Sequence, residues 1–244
     1  MPHIVTTADD HVLTLVLDRP DKKNALTGAM YGALADGLER LQEDDDLRVG
    51  VLRSSGTDFC AGNDLFDFAA PNAGGAPVTR FLRALTAATK PLVAAVRGKA
   101  IGVGATMLLH CDVVHVGHGT DLRFPFVDLG LVPEAGSTLL LPELVGPRRA
   151  AQMLLLGQPL SGDEAVVWGI ATDAMDPGDV DAAAARSARI LVGKPPAALA
   201  ATKRLLRGDP GRIVARQAEE GAVFADLLQG PEFADAVARF TRRS

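Results

Sequence analysis

The sequence predicts an α/β fold that ends in a helical C-terminal block. Three observations lead there. Short β-branched runs alternate with stretches of helical period through the first half, no composition break or internal repeat marks a second domain, and the last third is rich in Ala, Arg and Leu at helical spacing.

Taken in order, Met1-Pro2-His3-Ile4-Val5 alternates like a strand, and His11 to Asp18 reads as the next one. Thr27 to Gln42 reads as a helix N-capped by Thr27, with Met30, Leu34, Leu38 and Leu41 on one face. Leu47 to Arg53, Pro91 to Val96 and Val113 to Gly117 are further strands, and helices between strands imply crossovers. Pro71 to Pro77 has turn-forming residues at nearly every position and reads as a mobile surface loop. Ser161-Gly162-Asp163-Glu164 has capping-box spacing. Helices are then expected over Asp181 to Val192, Pro196 to Leu206, Ile213 to Leu228 and Glu232 to Phe240. Residues 1–190 therefore form the core and residues 191–244 a helical region that is not an independent domain.

The 244 residues suit one α/β domain, and 48% apolar with 23% charged residues is an ordinary globular balance. A net charge of −5 gives no general attraction for nucleic acid or an anionic membrane. An anionic ligand would need a local basic cluster, such as Lys22 with Lys23 or Arg97 with Lys99. Cys60 and Cys111 sit in apolar runs and read as small buried residues of a reduced compartment. The N-terminus lacks a basic region followed by an apolar stretch, and no apolar run approaches the ~20 residues of a membrane span. A cytoplasmic protein without a membrane or nucleic-acid partner is the expectation.

Chemistry is suggested by two glycine turns, Phe59-Cys60-Ala61-Gly62-Asn63-Asp64-Leu65 and Ala100-Ile101-Gly102-Val103-Gly104-Ala105-Thr106. Each leaves an apolar run. Singly, a glycine here reads as a tight turn or a close contact. Together the turns can aim two backbone N–H groups, those of Asn63 and Val103, at one developing oxyanion, with helix N-termini behind them. Glu134, between Pro133 and Ala135-Gly136 before an apolar helix, is placed either to act as a base in a dry pocket or to interact with a helix N-terminus.

These segments, with Leu129-Gly130-Leu131-Val132-Pro133-Glu134-Ala135-Gly136-Ser137, resemble the signatures of the crotonase (enoyl-CoA hydratase/isomerase) superfamily in order and spacing over nearly the whole chain. The resemblance implies a spiral of repeated ββα units whose C-terminal helices carry contacts of a homotrimer or dimer of trimers. It implies an acyl-CoA thioester substrate, an enolate held by the N–H groups of Asn63 and Val103, and Glu134 as catalytic base. Coenzyme A would lie against Lys22, Lys23, Asn24 and Ala25 and against Ala61, Gly62, Asn63, Asp64 and Leu65, with Gly104 as a further substrate-binding position. No metal and no cofactor beyond the coenzyme A of the substrate are implied.

Hydratases of the family carry two carboxylates, at the positions of Thr106 and Phe126 in this chain, and neither residue is an acid. A single glutamate at position 134 is the pattern of the Δ3,Δ2-enoyl-CoA isomerases, which convert 3-enoyl-CoA to trans-2-enoyl-CoA. Phe66, Phe68, Phe124 and Phe126 would exclude water or simply fill core. The competing readings are enoyl-CoA hydration or another thioester reaction, and a non-catalytic acyl-CoA-binding or assembly protein. Asp128 is a second acid near Glu134, read as a surface or capping residue. His110-Cys111-Asp112 has side chains that diverge, His115 and His118 lack other ligands at metal spacing, and Gly98 to Gly104 lacks the final glycine of a dinucleotide loop.

Overall fold

Strand pairs followed by helices set the architecture. The computed structural model describes residues 3–64, 67 and 75–241. Strands β1 (Ile4–Asp9), β2 (Val12–Leu17), β3 (Val49–Ser54), β4 (Leu92–Val96), β6 (Val113–Gly117) and β9 (Asp173–Met175) form one sheet in the order β1-β2-β3-β4-β6-β9. β1 pairs antiparallel with β2, and every later neighbour is parallel. The short strands β5 (Lys99–Ile101), β7 (Asp121–Arg123) and β8 (Leu160–Ser161) form a second sheet.

The chain repeats one path: a strand in the large sheet, a shorter extended piece in the second layer, then a helix. β4 leads to β5 and helix α3 (Val103–Thr106), and β6 leads to β7 and, after a turn, to helix α4 (Ser137–Val145). Parallel bridges Leu26↔Asn63 and Cys60↔Ala100 continue the second layer through the loops that follow β2 and β3. Repeating that path produces the expected spiral of ββα units.

The central strands are continuous apolar runs because both faces are covered. Helix α1 (Gly28–Glu43) buries Met30, Tyr31, Leu34, Leu38 and Leu41 in the cluster that contains Leu13, Leu15, Leu17, Leu52, Leu92 and Ala94. The alternate residues Val49, Val51, Val93 and Ala95 pack on Val180, Ala184 and Ala188 of helix α7 (Val180–Val192). The Thr27 hydroxyl accepts the Met30 N–H at 3.4 Å as the cap of α1. Helices α5 (Pro147–Leu154) and α6 (Gly162–Val167) flank β8 and precede β9 in the chain, and the capping box of Ser161 and Glu164 opens α6.

Three sequence expectations are revised. Ala76 and Pro77 do not belong to a loop: they open helix α2 (Ala76–Ala87), because proline suits a first helical turn. The expected loop residues 71–74 lie outside the described residues, as do Leu65, Phe66 and Phe68. The helix expected behind the second glycine turn is α-helical only as α3, then tightens to a 3₁₀ turn over Met107–His110. Cys111 is half-buried where a buried thiol was expected, while Cys60 is buried, and both are free.

Helices α8 (Pro196–Arg207), α9 (Pro210–Leu228) and α10 (Pro231–Thr241) form the C-terminal block. The preceding α7 belongs to the core and runs two residues past 190.

Candidate active site

The second layer of the spiral brings the two glycine turns together. Cys60 N–H donates to Lys99 O at 2.8 Å and Ile101 N–H to Cys60 O at 2.9 Å, so the segments run side by side into their turns. Gly62 has φ +97° and Gly102 φ +56°, values that L side chains rarely adopt. A Cβ on Gly102 would stand 3.9 Å from the Gly62 Cα, so the two turns face each other. Gly104 is needed for closeness: a Cβ there would come within 2.7 Å of the Cys60 Cβ and carbonyl oxygen. Packing against Cys60 thus requires glycine at position 104.

The bridge between the first turn and Leu26 uses Gly62 O, which accepts from Leu26 N at 2.8 Å, and Asp64 N, which donates to Leu26 O at 2.9 Å. Asn63 N–H therefore points to the other side. Val103 is the first residue of α3, where N–H groups have no carbonyl one turn earlier. Among the described residues neither N–H donates to a protein acceptor.

Glu134 reaches this place from a turn of unusual backbone. Ala135 has φ +64° and Gly136 φ +73° immediately before α4. The Thr106 hydroxyl of α3 donates to Glu134 Oε1 at 2.5 Å, so the helix that begins at the second glycine turn also holds the carboxylate. Burial pushes the Glu134 carboxyl up to about 7, opposed by the Thr106 hydrogen bond and reinforced by the charge of Glu220. The carboxyl is thus poised to exchange a proton near neutral pH.

Neighbouring polar groups are fixed in state and direction. His110 is buried and pushed down to about 4, chiefly by burial, so its ring is neutral and Nε2–H is assigned as donor to Ala135 O at 2.8 Å. Burial, then the charges of Glu134 and Cys60, raise the Tyr31 phenol, which stays protonated and donates to Asn63 Oδ1. The Cys60 thiol is pushed up to about 12, mainly by burial, which removes it as a nucleophile.

A cavity of about 480 Å³ opens beside Glu134, and neither Val103 nor His110 is among its lining residues. Tyr31, Asn63, Glu134 and Ala135 form its floor, and Leu82 of α2 and Phe224 of α9 stand in its apolar walls. Glu134 is the one carboxylate among the described lining residues. Phe126 is buried, its Cζ 3.9 Å from where a Gly102 Cβ would stand, and Phe124 is core. Helix α9 of the C-terminal block is therefore a wall of the cavity.

The proposed coenzyme-side residues assemble around Asn24. Lys22 and Lys23 are exposed at the end of a 3₁₀ turn, and Lys23 O accepts Ala61 N–H at 2.9 Å, which sets the basic loop beside the first glycine turn. Asn24 is buried: its Oδ1 accepts Arg19 N–H at 2.7 Å, and its Nδ2 donates to Ser55 O at 3.0 Å and Asp58 O at 2.7 Å. Asp64 accepts from Arg19 Nη1 at 2.7 Å, and the same nitrogen donates to Ala25 O at 3.1 Å. The Asp64 carboxylate is engaged in holding this loop. Leu65 lies outside the described residues. Sequence reasoning missed Arg19, Tyr31, and Glu220 as participants, and gave His110 no positive role.

Other constellations do not form sites. His110, Cys111 and Asp112 diverge to Ala135 O, Met107 O, and Leu92 N with Lys203 Nζ. Asp128 is exposed and does not line the cavity. His115 lies between Asp173 at 2.5 Å and the Ser187 hydroxyl at 2.9 Å, an order of groups found in hydrolases. Ser187 stands inside α7, where backbone N–H groups serve the helix and leave no oxyanion donors. His118 pairs with Asp163, and no group of metal-ligand type occurs among the described residues.

The chain matches the family described as enoyl-CoA hydratase/isomerase over residues 7–241. It is 35% identical over 215 residues to the 1,2-epoxyphenylacetyl-CoA isomerase of Escherichia coli K12, spanning 84% of this chain and 82% of that protein. It is 34% identical over 233 residues to the 2,3-dehydroadipyl-CoA hydratase of the same organism, spanning 94% and 88%. The crystal structure of an enoyl-CoA hydratase/isomerase from Pseudoalteromonas atlantica T6c superposes with a TM-score of 0.95 at 40% identity, covering 99% of this chain and 97% of that one. The two-layered spiral is thus a crotonase fold, and the chain belongs to the enoyl-CoA hydratase/isomerase family.

Proposed function

We propose that this member of the family converts 3-enoyl-CoA to trans-2-enoyl-CoA by a proton shuttle on Glu134. One observation carries the reading: Glu134 is the sole carboxylate among the described residues lining a cavity whose floor also holds Asn63. Addition of water uses two acids in the family, and the positions that would supply them are Thr106, already donating to Glu134, and the buried Phe126. The relatives bear both isomerase and hydratase names, and the residues at 106 and 126 favour the isomerase.

In the mechanism, Glu134 as carboxylate removes a proton from C2 of the thioester. The electron pair moves onto the thioester oxygen, giving a dienolate that the N–H groups of Asn63 and Val103 stabilise; each such donor contributes on the order of 3 kcal/mol. Protonated Glu134 then delivers the proton to C4, the C3–C4 double bond shifts to C2–C3, and the carboxylate is restored. The Thr106 hydroxyl keeps Oε1 in place, and the apolar walls limit quenching by water. Coenzyme A enters as part of the substrate, near the loop of Lys22 and Lys23, and the chemistry calls for no metal or redox group.

The chain acts as a homotrimer or dimer of trimers in the cytoplasm under this reading. Leu205 and Leu206 on α8, 75% and 83% exposed, support self-association. No described helix is long and apolar enough to cross a membrane.

Turnover of trans-3-hexenoyl-CoA, followed by absorbance of the conjugated product beside hydration of crotonyl-CoA, tests the reading. Isomerisation without hydration is expected, with kcat/KM falling about tenfold per pH unit on the acid side of pH 7 as Glu134 is protonated. Hydration at a comparable rate would overturn it. Glu134→Gln should lower isomerisation by about a thousandfold while CoA-ester affinity stays near wild type.

A further inference from the structure

We propose that Glu220 is a positioning residue for Glu134: from α9 its carboxylate caps α4 and clamps the Ala135–Gly136 peptide, one unit beyond the catalytic glutamate. The proposal rests on the reading of Glu134 as base.

Helix α4 begins without a cap of its own, because its N-cap residue is Gly136 and has no side chain. The cap arrives from 84 positions along the chain. Glu220 Oε2 accepts Gly136 N–H at 2.6 Å, while Oε1 accepts Thr138 N–H at 2.9 Å and the Thr138 hydroxyl at 2.6 Å. Arg216 Nη1 donates to Thr138 Oγ1 at 3.2 Å, which leaves the hydroxyl proton for Glu220. Glu220 is 5% exposed, so its two oxygens meet protein donors in place of water. Three donors and no acceptor around it fit an ionised carboxylate at the positive end of a helix.

The Gly136 N–H belongs to the same peptide unit as the Ala135 carbonyl, and that carbonyl accepts from His110 Nε2–H at 2.8 Å. One peptide plane is therefore held at both poles, by His110 from the core and by Glu220 from the C-terminal block. Ala135 at φ +64° is a conformation that needs such support. Its neighbour Glu134 takes its direction from this plane, and Thr106 fixes only the far end of the side chain.

The clamp also ties the base to the cavity wall. Gln217, Gly221 and Phe224 of α9 line the cavity on the helix that carries Glu220. Gln217 Nε2 donates to Thr86 Oγ1 of α2 at 2.9 Å, a second anchor. A Cβ on Gly136 would come within 2.9 Å of Ile213 Cγ2, so helix and turn are in direct contact. Placement of α9 over the substrate and orientation of Glu134 are thus one structural event.

The test compares Glu220→Gln, Thr138→Val and Thr138→Ser with wild type in trans-3-hexenoyl-CoA turnover, in deuterium exchange at C2 of hexanoyl-CoA, and in carbon-13 titration of the Glu134 carboxyl, assigned by its loss in Glu134→Gln. A glutamine would turn its amide N–H toward other donors. Glu220→Gln should lower kcat by about tenfold to a hundredfold with KM within about twofold, and Thr138→Val should do so more weakly, with Thr138→Ser restoring the rate. The Glu134 titration should move to lower pH in Glu220→Gln; Tyr31 and Cys60, which face the charge of Glu134 itself, stay protonated throughout. If Glu220→Gln does not fold, the Thr138 pair decides. Wild-type kcat and titration in the Glu220 and Thr138 variants, with Glu134→Gln inactive, would overturn the clamp alone. Activity retained by Glu134→Gln would instead overturn the base. If wild type leaves 3-hexenoyl-CoA unchanged, the isomerase reading fails and an unmoved Glu134 titration overturns the clamp independently.

Discussion

The α7 contact with the sheet and the α8–α9 contact with the core differ in what they bury, and the cavity lies beside the second. Helix α7 sits on the sheet chiefly through Val180, Ala184 and Ala188 against Val49, Val51, Val93 and Ala95, with the Asp181–Arg97 pair at 2.9 Å and the His115–Ser187 bond at 2.9 Å beside that apolar contact. Helices α8 and α9 instead bury Lys203 and Glu220, and α8 buries nothing else. Lys203 Nζ donates to Asp112 Oδ2 and Lys90 O, each at 2.7 Å, and Arg207 donates to the His110 carbonyl. Apolar contact is tolerant of small slides, whereas a buried charge with directed partners accepts one register. The core therefore supplies stability, and the block is placed with directional accuracy against the residues that hold Glu134.

That contrast predicts two kinds of mutant. Leu38→Ala, in the middle of α1 and 1% exposed, should cost about 3 kcal/mol through lost burial and a cavity, lowering Tm while activity per folded molecule stays near wild type. Asp112→Ala should cost slightly less, about 2–3 kcal/mol, because it strands Lys203 in the interior although Asp112 itself is partly exposed. Lys203→Met should be far milder, since it removes the buried charge along with its partner's task. Denaturant titration of the three variants checks the order; equal losses in Asp112→Ala and Lys203→Met would mean that shape, and not charge, holds α8.

The same contrast explains what could be read from the sequence. Strands buried on both faces appear as unbroken apolar runs, and α1 shows its face through Met30, Leu34, Leu38 and Leu41, so the core was legible from local pattern. The glycine turns and Glu134 were legible because the order of three motifs matches a known family. β5 and β7, three residues each, are too short for a periodic signal, and α2 was obscured because Pro77 opens a helix within a run of turn formers. Glu220 has the appearance of any glutamate in an amphipathic helix until folding sets it beside Gly136. Arg19 and Tyr31 were illegible for the same reason: their partners, Asp64 and Asn63, are distant in sequence.

The smallest effect bears on the boundary between the two regions. The Glu134 carboxyl lies at about 7 in the folded protein, against an ordinary 4.5, because burial penalises its charge. The folded state thus binds the proton more tightly than the unfolded chain. The associated stability is fully present below pH 4.5 and is lost as pH rises through about 7. Glu134→Gln removes this loss while its side-chain oxygen still accepts from Thr106. The variant should match wild type in stability at about pH 4 and exceed it by about 1–3 kcal/mol at pH 8, read as a rise in Tm. His110 works in the opposite direction: its folded value of about 4 lies below the ordinary 6.5, so its contribution is present above pH 6.5 and is lost as pH falls toward 4. The wild-type stability profile should therefore fall on both sides of a weakly acidic maximum. Only the alkaline fall should flatten in Glu134→Gln, and an identical fall in both proteins would show that Glu134 is charged at no cost in the folded state.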